Sequence, residues 1–393
     1  MNIFYDGKYI VRNFSGTSLT SSIFLVLPIF MIIESSSVSF PENYYKVSGI
    51  PLHSSLLLFF IYFNYVKVKS RVLYSLAALA IITLLISTFV ELNYGKFFLI
   101  MQSLIFFAFL IVFRSLSKEK IFQLSKYSVF TFKFFIIAHF MSMIIFSEGS
   151  FYSFREQTNY FFGLPIYQSL LTYNFVMIFI LILDKEFVSR GKDLSYWIFL
   201  LLVILIELLM FRKVSVSVLL LYLLLYHTKL FLIFVSASPL IVPILFQRYS
   251  DLSFKLLDRV IDSAGRFLYL GANRSKTWND SLHLLKDYQI FLFGNGENNY
   301  SHNYWLQNLT SHGILYSLIL FIAVLITLKT FLSKDFIFRK SSILIFVTVL
   351  LDWTVNTNLY QPYYAAVLAL VFVNIYLSLN ERENYERMKI KIS

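Results

Sequence analysis

Apolar runs of about 17–25 residues recur along most of this chain, separated by short charged connectors. A run of that length crosses about 30 Å of hydrocarbon as an α-helix. Inside lipid only helices and closed barrels satisfy every backbone polar group. Composition agrees: 58% of the 393 residues are hydrophobic and only 14% are charged, where soluble domains carry about 25% charged residues. The 44 Phe and 27 Tyr suit lipid-facing surfaces and interfacial belts. The chain therefore reads as an all-α polytopic membrane protein.

Twelve spans are expected, at about 17–33, 49–66, 72–90, 97–113, 127–146, 163–183, 194–211, 214–227, 229–246, 313–331, 341–360 and 363–379. Residues 1–246 then form a nine-span bundle, 247–312 one large loop with short helices, 313–379 the last three spans and 380–393 a solvated tail. No small-residue cleavage site follows the first run, so it is read as a span rather than a signal peptide.

An even number of spans puts both termini on one side, and charge identifies that side. Connectors on the side of the termini hold twenty-one Lys and Arg, whereas the short connectors opposite hold five: Lys46, Lys96, Arg155, Arg212 and Lys213. The positive-inside rule makes the first side cytoplasmic. The net charge of +12 is thus spent on orientation and gives no nucleic-acid signal. The absence of cysteine excludes disulfides and thiolate chemistry.

Arg212 and Lys213 are exceptions to the bias, at the outer end of the seventh span. Interfacial snorkelling or pairing with Glu207 would account for them. So would a cationic clamp for an anionic lipid-linked substrate. Lys133, His139, Asp352, Asn356 and Asn374 are further polar candidates within spans.

The polar interval from Gly265 to Gly313 gathers most of the remaining chemistry. Before it, apolar spacing at Leu252, Leu256, Leu257, Val260 and Ile261 predicts a helix lying on the membrane surface. A second helix is expected over Lys276 to Lys286, with Asn273 or Ser275 near its start, and a turn over FGNGENNYS. Arg266 and Arg274 could each bind phosphate oxygens as a fork. Trp278, one helical turn after Arg274, could anchor the loop or stack on a sugar. His302, beside Asn303 and Gln307 in HNYWLQ, could take a proton from a hydroxyl as a general base, and should lie near the outer mouth of the bundle. The GNG turn lacks the spacing and lysine of a phosphate-binding loop. His283, His302 and His312 lack ligand spacing, so no metal is expected.

Three pieces resemble the bacterial O-antigen polymerases and the related O-antigen ligases. MFRKVSVSVLLLYLLLY resembles the family's arginine at the outer end of one span and the small-residue start of the next. NRSKTWNDSLHLLKDYQIFLFGNG resembles its Arg-x-x-x-Trp segment leading to Phe-Gly-x-Gly. SHNYWLQNLTSHGILYSLILF resembles its His-Asn-x-x-Leu-Gln element running into Gly-Ile-Leu. They occur in the family's order and cover about a third of the chain. The family often has Ser-Arg-Gly where this chain has Phe211, Arg212 and Lys213.

The resemblance implies a GT-C-like glycosyltransferase of the bacterial inner membrane. Its substrates would be undecaprenyl-diphosphate-linked glycans joined at the periplasmic face, without cofactor, metal or nucleotide sugar, and it admits a chain-length regulator protein as partner. His302 would activate the acceptor, while Arg274 and Arg212 would hold the leaving diphosphate. Arg266, Lys213, Asn303, Gln307 and Trp278 would bind substrate. Polymerase is favoured over ligase. A transporter of lipid-linked sugars should instead carry charges within the bundle and show internal repeats. A membrane O-acyltransferase would need an intramembrane histidine, for which only His139 qualifies.

Overall fold

Straight-chain and apolar residues run without Pro or Gly from Lys118 to Phe146, and a computed structural model makes them one 29-residue helix, α1. The structure describes residues 106–107, 109–110, 112–114, 116–146, 160–161, 164–165, 170–191, 193–210, 213–233, 236, 272–295, 303–331, 339–355 and 362–392. The first three expected spans, most of the fourth and ninth, and the surface helix of 252–261 lie outside them. Ser117 starts α1, its Oγ accepting from the Lys120 N–H at 3.5 Å. Hydrogen bonds from its own backbone N–H and from Ser117 hold the Glu119 carboxyl below its ordinary value.

A hairpin of two short strands follows, β1 (Tyr160–Phe161) and β2 (Leu164–Pro165), paired antiparallel with Tyr160 opposite Pro165. It corrects the expected helix over 163–183. Pro165 has no N–H to extend a ladder, and helix α2 begins only at Leu170, running to Leu183. A π-turn, Asp184–Val188, closes it. Helices α3 (Leu194–Met210) and α4 (Lys213–Tyr226) match the seventh and eighth expected spans within a residue or so.

The loop contributes α5 (Ala272–Leu284) and α6 (Tyr288–Phe293). The helix expected from Lys276 is present but starts at Ala272, ahead of both expected caps, because Ala and Arg extend a helix readily. Three more helices complete the described chain: α7 (Tyr304–Phe331), α8 (Lys340–Val355) and α9 (Pro362–Ile392). The tail expected as a solvated end continues α9, since its Glu, Arg, Met and Lys are all good helix formers.

The core is a helix pair. Every residue of α2 from Phe175 to Leu183 is buried, as are nearly all of α9 from Tyr364 to Ile375. The two pack on each other, and α1, α3, α4 and α8 surround α2. A helix apolar all round belongs at such a centre. The surrounding helices then expose apolar stripes outward: Phe130, Phe134, Ile137 and Met141 on α1; Leu194, Ile198, Leu201 and Leu205 on α3; Leu315, Leu318, Ile322 and Leu325 on α7; Ile343, Phe346 and Leu350 on α8. Their i, i+3, i+4 spacing makes each a continuous helical face. The described fold is helical apart from the hairpin. Among the described residues α1 is the one helix long and apolar enough by itself to cross a membrane, and the apolar parts of α3, α4, α8 and α9 are shorter.

Candidate functional site

The loop motifs fold as one unit with the start of α7. Asp287 caps α6, its Oδ1 accepting from the Gln289 N–H at 2.8 Å. Gly294 ends α6 with φ 71° and ψ 166°, a region open essentially to glycine. Gly313 adopts φ 79° and ψ 174° inside α7 and breaks it into two limbs.

The break is a fold-back. Trp305 and Phe321 would stand about 24 Å apart on a straight helix, yet their ring centroids are 5.7 Å apart. The segment from His302 to Gln307 is expected to lead into the tenth span; the first limb does so only through the bend at Gly313, returning along the second limb. The reason is backbone contact. A Cβ on Gly313 would meet the Leu292 carbonyl, and one on Gly294 the Ser311 carbonyl and the His312 N–H, all well inside the 3.0 Å that Cβ atoms keep. The Asn295 N–H donates to the Thr310 carbonyl at 3.0 Å between the two bends. Each glycine makes room for the other's neighbours.

Of the sequence-predicted residues, this unit carries Trp278, Asn303 and Gln307. Asn303 caps the first limb: its Oδ1 accepts from the Leu306 N–H and its carbonyl from the Gln307 N–H, both at 2.9 Å. Gln307 is buried, with Asn308, Thr310, Ser311 and His312 beyond it, so the first limb turns an unusually polar face inward. His312 stands edge-on to Tyr316 at 4.8 Å. Helix α5 packs against α7. There the indole Nε1 of Trp278 is buried and meets no acceptor among the described residues, a donor suited to a hydroxyl or phosphate oxygen. Arg274 lies on α5, one turn before Trp278, and Lys213 opens α4. Arg212, Arg266 and His302 lie outside the described residues.

Glu207 and Ser215 bracket the α3–α4 break. Both are buried, and the Ser215 Oγ donates to the Glu207 Oε2 at 2.6 Å. A buried carboxylate near the end of α3 is thus bonded to the start of α4.

A second constellation, at the other end of the bundle, was not anticipated. Asp184 and Glu186, two residues apart in the π-turn, point to opposite sides of it. Asp184, almost fully buried, pairs with Lys133 of α1. Lys133 also donates to the Ser195 Oγ at 3.4 Å and lies over the Phe199 ring. Glu186 takes the opposite side, accepting from Tyr226 and from the Ser341 Oγ at 3.1 Å and pairing with Arg339 at 3.1 Å. Arg339 continues to Ser378 of α9. Beside this cluster Tyr222, Tyr196 and His227 form a chain, with 2.6 Å between the hydroxyls and 2.5 Å from Tyr196 to the histidine Nε2. Either tyrosine hydroxyl can donate to the other, the His227 tautomer sets the direction at Nε2, and the Tyr222 hydroxyl also lies 3.4 Å from the Leu181 carbonyl.

The sequence reading names Lys133 as a polar candidate within a span, but counts Arg339 as an orientation signal and gives Asp184 and Glu186 no part in such a cluster. Two signals could have found it: carboxylates flush with the end of a wholly apolar run, and a lone Lys133 that needs a counter-charge. Of the other candidates within spans, His139 is buried beside Phe135, and Asn374 donates to the Ser125 Oγ and the Leu370 carbonyl, both at 2.8 Å. The side chains of Asp352 and Asn356 lie outside the described residues. No cluster of three metal-ligating side chains occurs among the described residues. Comparison of the sequence with models of known protein families and with curated proteins returns no match.

Proposed function

We propose that the chain is a twelve-span glycosyltransferase of the bacterial inner membrane that polymerises undecaprenyl-diphosphate-linked oligosaccharide repeat units at the periplasmic face. The observation that carries this reading is the glycine-locked unit. The Arg-x-x-x-Trp helix, the Phe-Gly-x-Gly turn and the element that follows His302 are two of the three motifs that resemble the polymerases, and they belong to one folded piece. Outward apolar stripes on four helices support lipid as the solvent. The inner polar cluster supports the orientation, because Arg339, Lys340 and the π-turn gather at the end that the charge bias makes cytoplasmic.

In this reading the acceptor hydroxyl attacks the anomeric carbon of the donor sugar and gives its proton to His302. The bond from that carbon to the diphosphate oxygen breaks, and Arg274 and Arg212 stabilise the departing charge. Preorganised cations in a poorly hydrated site do this better than water. Arg266, Lys213, Gln307 and Trp278 contact the lipid-linked glycans, and Asn303 shapes the limb that presents Gln307. Transfer to a lipid A core, the ligase reaction, uses the same donor chemistry and differs in acceptor.

Deleting the gene and separating surface polysaccharide on a gel tests the reading. A single repeat unit on the core is the polymerase result. Bare core with long polymer on the carrier identifies a ligase, and an unchanged ladder refutes both. His302→Ala, Arg274→Ala and Arg212→Ala should each abolish product while the protein still inserts. The absence of cysteine offers a test of sidedness. An impermeant thiol reagent applied to intact spheroplasts should label Asp280→Cys and leave Asp193→Cys unlabelled; the reverse pattern overturns the topology.

A further inference from the structure

At the cytoplasmic end of α3 the surface is amphipathic in an organised way. Trp197 is 39% exposed. One side of its indole faces His227, with ring centroids 5.0 Å apart, and the Lys185 Nζ lies 5.9 Å from its centre. Lys185 is held there by a tight turn: Arg190 and Gly191 both adopt left-handed conformations, and a Cβ on Gly191 would overlap the Lys185 side chain. The same ammonium lies 5.3 Å over the Tyr196 ring. Arg190, beside Gly191 in that turn, and Lys229, two residues after His227, are both exposed.

The local carboxylates are already committed. Asp184 is paired with Lys133 and Glu186 with Arg339, which leaves Asp193 as the remaining acid of the 184–193 connector against Lys185, Arg190 and Lys192. Directly above the cations, along the same face of α3, run Ile198, Leu201 and Leu205, all exposed. The pattern is cation, aromatic, then an apolar strip.

We propose that this face is a binding site for an anionic phospholipid of the inner leaflet, distinct from the lipid-linked glycans. The phosphate meets Lys185 and Arg190, the glycerol region lies against Trp197, and an acyl chain follows Ile198 to Leu205. The chemistry fits each part. Juxtamembrane cations attract anionic headgroups, indoles favour the headgroup level, and the strip matches hydrocarbon. The inference rests on the membrane reading but on no catalytic residue.

The test uses the full-length protein in vesicles of bromine-labelled lipid, which quenches nearby tryptophan. The quenching lost in Trp197→Phe reports that site. Labelled phosphatidylglycerol should quench Trp197 at several-fold lower mole fraction than labelled phosphatidylcholine. Lys185→Gln should weaken that preference about fivefold, and Lys185→Arg should retain most of it. Equal quenching by both lipids, or a preference untouched by Lys185→Gln, overturns the proposal. Full competition by inorganic phosphate also overturns it, by showing a site for the free anion. If neither lipid reaches Trp197, the membrane reading itself fails, an outcome distinct from loss of preference.

Discussion

The interlocked bends at Gly294 and Gly313 allow a quantitative test. Alanine at either position must hold a φ of 71° or 79° with an extended ψ, which costs about 1–3 kcal/mol for a residue with a Cβ. Its Cβ would also overlap backbone rather than the flexible end of a side chain. Backbone yields poorly, so the forced shift adds about 1–3 kcal/mol. Alanine returns about 0.4–1 kcal/mol through the unfolded chain only where the native conformation suits it, and here it does not. Each variant should therefore lose about 2–6 kcal/mol. The double variant should lose less than the sum, because either Cβ alone already drives the two segments apart. The assay is denaturant unfolding of the purified protein in detergent, followed by tryptophan fluorescence. Trp278 and Trp305 report on this unit and Trp197 on the far end of the bundle. Leu282→Ala, at an exposed position on α5, is the control and should fall within about 0.5 kcal/mol of the parent. If both glycine variants match that control, or if their losses add fully, the reciprocal packing argument is wrong.

Three further outcomes are expected. Lys133→Met strands the buried Asp184 carboxylate and should cost about 3–5 kcal/mol, whereas Lys133→Met with Asp184→Leu should cost much less; unfolding midpoints decide, and equal losses refute the pairing argument. Asn303→Ala removes the cap of the first limb and should cost about 1 kcal/mol. Asn303→Asp should restore both stability and product, and stability without product would show that the amide has a task beyond capping. Ser341→Ala with Tyr226→Phe removes two of the donors to Glu186 while Arg339 remains, so stability should fall by about 1–3 kcal/mol with polymer formation intact; loss of polymer would tie the cytoplasmic cluster to the chemistry.

Helix existence was legible in this sequence wherever an apolar run was bounded by charge, as for α3 and α4, because length and composition alone decide it. The helix end at Gly294 was legible from the glycine itself. The fold-back at Gly313 was not: TSHGILYSLILF has the periodicity of a continuing helix, and the bend exists only because a distant backbone at Leu292 presses on it. The hairpin at Tyr160–Pro165 was hidden by the apolar character of the residues around it. The Asp184 and Glu186 network was illegible for a different reason. Its partners lie 51 residues before Asp184 and up to 155 residues after Glu186, and each charge looks like an ordinary connector until the helices are assembled. The catalytic proposal stands on motifs, and Trp278 gains a buried indole N–H that no spacing rule would have indicated.

The buried position of α2 bears on how the molecule is made. This helix leaves the ribosome before α3, α4, α8 and α9, the neighbours that enclose it. Its main packing partner, α9, is the last of the described helices in chain order. Until then Glu186 lacks Arg339 and Ser341. Among the described helices the bundle is therefore closed by α8 and α9, and a nascent chain stalled after α7 leaves the α9-facing side of α2 uncovered. Loss of the final 55 residues would remove the closing step of assembly, a defect out of proportion to the length of chain removed.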